Sequence, residues 1–143
     1  MWHTSALSME RYEQVGELPP AGLFQVILVR EKVTQQLLVL KRANLSALDE
    51  GEKQLVFGAV EMLNRLNNEC PNSVLFVECF TDGDFGCIVL EHCELGTLHM
   101  MVAQLKDMNE HTLPEPHVLL WIEQLALALQ VFPPLSQASF PLA

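Results

Sequence analysis

The residue types able to do chemistry gather in the middle of the chain. Four cysteines, Cys70, Cys79, Cys87 and Cys93, share that region with His92 and His99. Thiolate and imidazole are zinc ligands, but structural zinc sites draw them in closely spaced pairs. No C-x-x-C pair occurs, and Cys79 and Cys87 flank the turn dipeptide Asp82-Gly83. No metal is expected, and the four thiols read as free and buried. Among the cations the best candidate is Lys41, which closes the apolar run Leu37-Leu38-Val39-Leu40. A lysine in that place is either an exposed strand terminus or a charge held ready for an anionic ligand.

Those side chains depend on the elements around them. Ile88-Val89-Leu90 is a short apolar, partly β-branched run and reads as the inner part of a buried strand. The chain turns polar at Glu91-His92, breaks at Gly96 and resumes as a helix-like run from Thr97, the pattern of a junction between two lobes. Strands are expected near residues 12–18, 23–30, 36–43, 74–81 and 86–91, with Gly16–Gly22 as the loop joining the first two and a turn near Lys32–Gln35. Ser46–Asn67 is helical in pattern, because Leu55, Ala59, Met62, Leu63 and Leu66 recur at three- and four-residue steps. Met62, Leu63 and Leu66 are expected to share one core with Val26, Leu38, Leu40 and Val89. Leu98–Met108 reads as a short helix, and Pro116–Gln130 as a longer one with proline in its first turn. The longer helix is apolar almost all round, through Val118, Leu119, Leu120, Trp121, Ile122, Leu125, Leu127 and Leu129, and so expects burial on every side.

Composition narrows the partners. One domain is the natural count for 143 residues, and half of them are hydrophobic, ample for a core. Net charge is −10, unevenly spread: up to Arg65 there are seven bases and eight acids, and after it Lys106 stands against ten acids. Such a surface repels phosphate, so neither nucleic acid nor an anionic membrane is expected as a partner. No apolar run is long enough to span a bilayer, and Met1-Trp2-His3-Thr4 lacks the basic and apolar regions of a signal peptide. A cytoplasmic chain is expected.

Over about residues 10–130 the sequence resembles a protein kinase domain, in wording closest to the NIMA-related serine/threonine kinases. Leu37–Lys41 resembles the V-A-I-K strand, Cys70-Pro71-Asn72 the H-P-N turn, Cys87–Leu98 the hinge, and Leu113–Gln130 the first long helix of the lower lobe. The resemblance implies an α+β fold: a kinase-like N-terminal lobe of five antiparallel strands and one helix, then the first helices of an incomplete C-terminal lobe. It divides the chain into a loose leader (1–9), an upper lobe (10–91), hinge and lower-lobe start (92–130), and a non-kinase tail (131–143). By resemblance the nucleotide pocket is Lys41, Val26, Val39, Leu90 as gatekeeper, and Glu91 and Cys93 of the hinge. ATP and magnesium are implied only if the family activity survives.

Departures from the family pattern weigh against that activity. With Val26 as the valine of G-x-G-x-x-G-x-V, the three glycine positions hold Pro19, Ala21 and Phe24, and Pro19-Pro20 removes two amide donors. Val39 replaces the alanine of the adenine wall. The helix glutamate falls on Ala59 by apolar phase and on Glu61 by counting back from Pro71, positions about 200° apart. Phase is the stronger guide, so no ion pair between Lys41 and the helix is expected. Asp84-Phe85-Gly86 spells D-F-G, the magnesium triplet, but lies between the fourth and fifth strands, where it reads as a hairpin loop. No H-R-D follows the last helix; the chain reads Val131-Phe132-Pro133-Pro134 and ends uncharged, with Phe132, Leu135 and Phe140 able to cover only parts of the helix. The expectation is a truncated, catalytically inactive, pseudokinase-like domain with no catalytic residue and no cofactor. It would act, if at all, through protein contact or self-association by Val118–Leu129. The alternative is a fragment or isoform of an ATP-dependent serine/threonine kinase whose catalytic half is missing from these residues.

Overall fold

Alternating apolar and polar residues, punctuated by glycine turns, fold the first part of the chain into a sheet. In the computed structural model, which describes residues 3–4, 9–107 and 113–131, the strands are β1 (His3–Thr4), β2 (Tyr12–Ala21), β3 (Phe24–Glu31), β4 (Leu37–Asn44), β5 (Phe76–Asp82) and β6 (Phe85–Glu91). Their order across the sheet is β1-β5-β6-β4-β3-β2. β2 to β6 form the expected five-stranded antiparallel sheet. The leader is not wholly loose, because β1 pairs parallel to β5 through His3↔Phe80 and Thr4↔Thr81. Two residues held by backbone pairing leave no periodicity for a sequence to display. The rest of the leader before Met9, and the tail after Val131 with Phe132, Leu135 and Phe140, lie outside the described residues.

The loop expected at Gly16–Gly22 is strand instead. β2 runs to Ala21, with register shifts between Gln14 and Gly16 and between Leu18 and Ala21. It is an edge strand, so Pro19 and Pro20 cost the sheet no ladder hydrogen bond on its open side. The turn is only Gly22-Leu23, with Gly22 at φ 57°, and the β5–β6 turn repeats it at Gly83-Asp84, again with φ 57° at the glycine. A positive φ at the first of two turn residues is the hairpin geometry that demands glycine there.

The sheet curls until its far strands meet. Tyr12 of β2 stacks on Phe80 of β5 with ring centroids 6.3 Å apart, although β3, β4 and β6 stand between their strands. The Tyr12 hydroxyl donates to Glu78. Arg11 donates to both Glu78 oxygens at 3.1 Å and to Glu31 at 2.6 Å. Inside the curl lie Tyr12, Ile27, Val29, Leu38, Leu40, Phe80, Cys87 and Val89. The opposite face carries a second cluster, Val60, Cys79, Ile88 and Leu90, with Leu63 and Phe76 against it. The single shared core expected from sequence is therefore two: Leu38, Leu40 and Val89 face the curl, while Leu63 belongs to the other side.

Helix α1 (Glu50–Glu69) starts later than the expected Ser46, because Leu45–Ala47 forms a separate 3-10 turn. Asp49 and Glu52 make a reciprocal capping box: the Glu52 amide donates to the Asp49 carboxylate at 2.8 Å, and the Asp49 amide to Glu52 at 3.0 Å. At the other end Asn67 clamps Phe76, giving and receiving one hydrogen bond with its backbone, each 3.1 Å.

These elements make one compact unit, residues 1–67 and 74–92; residues 68–73 and 93–143 make another. In the second unit Gly96 (φ 73°) closes a turn by donating to the Cys93 carbonyl, and the Thr97 hydroxyl caps α2 (Leu98–Asp107) by accepting from the Met100 amide. Then comes α3 (Glu115–Val131). Both helices match expectation to within a residue, Met108 lying outside the described residues. Among the described residues no helix is long and apolar enough to cross a membrane.

No disulfide joins the four cysteines; Cys70, Cys79 and Cys87 are buried, but Cys93 is exposed, correcting the expectation of four buried thiols. Burial, then the nearby Asp82 charge, pushes the Cys87 thiol up to about 12.

The closure of the curl is testable because Tyr12 is the single tyrosine of the chain. Burial, followed by the hydrogen bond to Glu78, raises its pKa well above the ordinary 10. A raised folded-state value means a stabilisation fully present below pH 10 and lost as pH climbs beyond it. Absorbance at 295 nm should show no tyrosinate near pH 10 in the folded chain and normal ionisation in denaturant. Tyr12→Phe should cost about 1.5 kcal/mol in urea unfolding, the low end for a bond to a charged acceptor, since Glu78 is 28% exposed.

Candidate functional site

Sheet register brings the nominated residues of the first unit together. Leu18, Val26, Lys41, Ile88 and Cys79 form one cross-strand row, and Gly16, Leu28, Val39, Leu90 and Phe76 form the row two residues away. Opposed residues share a face, and Ile88 and Leu90 pack with Val60 of α1, so this is the face that carries the helix. Val26, Val39, Lys41 and Leu90 thus stand side by side on β3, β4 and β6. Leu28 and Ile88 join them unannounced by the sequence reading. Their signal lies in the β3–β4 turn: Gln35 (φ 61°) donates to the Glu31 carbonyl, the Glu31 amide donates to Gln36, and that turn fixes which residues oppose Lys41 and Val39.

Lys41 is half-buried and the single charge in its apolar row. Among the described residues it forms no ion pair. The inward side of α1 carries Val56, Val60 and Leu66, with Leu63 packed against the Val60 cluster, so the expected stripe holds at Leu63 and Leu66 while Val56 and Val60 take the place of Leu55 and Ala59; Leu55 is 45% exposed. The reason is local. The capping box fixes where the helix begins, and the spacing of apolar residues alone does not choose between adjacent stripes. Ala59 remains half-buried, whereas Glu61 is exposed.

Glu91 ends β6 with a structural task. Its amide donates to the Leu75 carbonyl at 3.0 Å and its carboxylate accepts from the Leu75 amide at 2.7 Å. Cys93 belongs to the second unit, where its carbonyl accepts from Gly96.

The three positions expected by resemblance to match the family's glycines hold other residues. Pro19 and Ala21 lie exposed in β2, while Phe24 opens β3 and packs with the Val60 cluster. The D-F-G triplet is spent on the hairpin. The Asp84 carbonyl accepts from the Leu45 amide at 2.8 Å, the Phe85 ring lies 4.3 Å under the Arg42 guanidinium, and Gly86 is buried in β6 opposite Ala43. Among the described residues no three His, Cys, Asp or Glu side chains gather as a metal site.

Curled five-stranded sheet, single packed helix between the third and fourth of its antiparallel strands, and a lysine on the helix-bearing face define a protein kinase-like upper lobe, followed by the first helices of a lower one. The chain's relatives agree. It is 25% identical to a probable serine/threonine-protein kinase nek3 of Dictyostelium discoideum over 85% of its own length and 11% of that protein. It is 32% identical to the serine/threonine-protein kinase Nek4 of Mus musculus over 74% of its length and 13% of that protein. It is 30% identical to the serine/threonine-protein kinase ATG1 of Chaetomium globosum over 60% of its length and 9% of that protein. The domain is kinase-like and similar to the NIMA-related and Atg1-type serine/threonine kinases, and the chain spans about a tenth of the length of these relatives. No family model matches it.

Helix phase and lysine isolation are checked by equilibrium unfolding. Val60→Ala should destabilise by about 2 kcal/mol as a core truncation, and Leu55→Ala by less than about 0.5 kcal/mol. Lys41→Met should also stay within about 0.5 kcal/mol, since no ion pair is lost.

Proposed function

We propose that these residues form a catalytically inactive, pseudokinase-like domain that acts through protein contact. The observation that carries the proposal is α3. Seventeen residues long, it has no buried residue, and Leu119, Ile122, Leu125 and Leu129 are 57–67% exposed. Contiguous apolar area of that kind marks interaction surfaces rather than ordinary solvated helix, and each such side chain, once covered, contributes about 1.5–3 kcal/mol. Inactivity is supported by the occupied glycine positions, by Val39 in the row beside Lys41, and by the outward Glu61. Phosphoryl transfer is chiefly positioning and electrostatics, so each of these departures weighs against it. A cytoplasmic setting fits four cysteines without a disulfide.

Lys41, on the helix-bearing face, favours a second reading in which the chain is part of an ATP-dependent serine/threonine kinase. Nucleotide binding separates the two. With magnesium and millimolar ATP, stabilisation should stay below about 0.4 kcal/mol, the value reached when ligand equals its dissociation constant. A larger shift, removed by Lys41→Met, would favour the kinase.

Sedimentation tests the contact surface. The isolated chain should associate, more strongly as salt screens its charge of −10, and Leu119→Glu with Ile122→Glu should return it to monomer. A chain that remains monomeric at all salt concentrations overturns the proposal.

A further inference from the structure

The exposed apolar residues of α3 are ordered as well as numerous. Leu119, Ile122, Ala126 and Leu129 are all exposed and follow one another at steps of three, four and three residues. At 100° per residue they share about 80° of arc. Alternating three- and four-residue steps are the spacing of a seam along which two helices pair. Trp121, Gln124 and Ala128, on the opposite side, are half-buried. Glu115, one turn before Leu119 on the same line, ends the seam, and no charged residue lies between Leu119 and Leu129 on it. The side-chain sizes along it run large, large, small, large; read backwards they run large, small, large, large.

We infer that α3 pairs with α3 of a second copy of this chain, antiparallel about a two-fold axis, an inference that rests on the proposed contact role of this helix. Antiparallel pairing centred beside Gln124 sets Leu119 on Leu129 of the other copy and Ile122 on its Ala126. The small alanine then meets the large isoleucine in both middle layers, and each layer fills its space. Parallel pairing would set alanine on alanine between large neighbours and leave a void, whose lining loses contacts outright. Opposed directions also bring the N-terminal end of each helix, positive by its macrodipole, to the C-terminal end of the other. Charge fits as well, because a neutral seam meets a neutral seam. The cost lies on one flank, where the two Glu123 side chains come near the axis, and salt screens it. One helix face against another is a small interface, so the pairing is reversible and concentration-dependent.

The test uses the full chain with Cys93→Ser, which removes the exposed thiol; Cys70, Cys79 and Cys87 are buried. In this background Leu119→Cys and Leu129→Cys are made separately and oxidised in a glutathione buffer. Antiparallel pairing holds like positions about 15 Å apart, ten residues at the helical rise, beyond the span of a disulfide. An equimolar mixture should therefore give a covalent dimer containing one chain of each kind, and neither variant alone should. Size gives a second reading without new thiols. Ala126→Ile should weaken dimerisation roughly tenfold in sedimentation, by overpacking against Ile122 of the other copy. Adding Ile122→Ala should restore most of that loss, since a large residue again meets a small one. Covalent dimers from either cysteine variant alone, or tighter association with Ala126→Ile, mean parallel pairing and overturn the inference. Association that persists without the mixed dimer and ignores Ala126→Ile gives this seam another occupant and overturns it too, while the Leu119→Glu and Ile122→Glu pair still decides the contact role of α3. A chain that stays monomeric throughout overturns both.

Discussion

The upper lobe depends on one closure. Tyr12 at the start of an edge strand reaches Phe80 and Glu78 on a strand four places away in the sheet, and Arg11 ties Glu78 to Glu31 on β3. A flat sheet offers two open faces, and this one has apolar residues for both. Curling solves the problem for one face by burying it against itself. Leu40 and Val89, at the centre of the curl, have no exposed surface at all. The other face is left for α1 to cover. A bulge at Val77 makes the closure compatible with the helix: Phe76 opposes Leu90 while Glu78 opposes Val89, so the extra residue puts Phe76 toward the helix and Glu78 toward Tyr12.

That dependence explains why the strands were legible and the core was not. Alternation and glycine turns are local signals, and they placed all five antiparallel strands. Which face each apolar residue serves depends on curl and bulge, which are properties of the whole sheet. Leu38 and Leu63 look equally ready to share a core, yet the sheet separates them. The helix phase shows the same limit. Leu63 and Leu66 were read correctly as inward, but the turns before them admit either Leu55 and Ala59 or Val56 and Val60, one residue on. The Asp49–Glu52 capping box was readable in the sequence and would have fixed the start of α1. Nothing local marks β1, which is held by two residues of backbone pairing.

The candidate site was legible to the extent that it is strand. Val26, Val39, Lys41 and Leu90 needed only the correct register to fall side by side. What the sequence could not give was the company they keep. Ile88 and Leu28 flank them because one tight turn sets the pairing of β3 with β4. Glu91, nominated for its place in the hinge, uses both its amide and its carboxylate to hold Leu75.

The β2–β3 hairpin is where the sheet departs most from the kinase pattern. A phosphate-binding hairpin needs free amides at its tip and room behind it. Here the tip has shrunk to Gly22-Leu23, two prolines in β2 carry no amide hydrogen, and Phe24 fills space against the Val60 cluster. On the row beside Lys41, Val39 adds branched bulk where the kinase pattern has alanine. Of these, Phe24 is the one that gains apolar contact within the lobe, whereas Pro19 and Pro20 stay exposed. In the second unit the balance runs the other way. α3 is rich in large apolar residues yet has no buried residue, Leu119, Ile122, Leu125 and Leu129 being its most exposed.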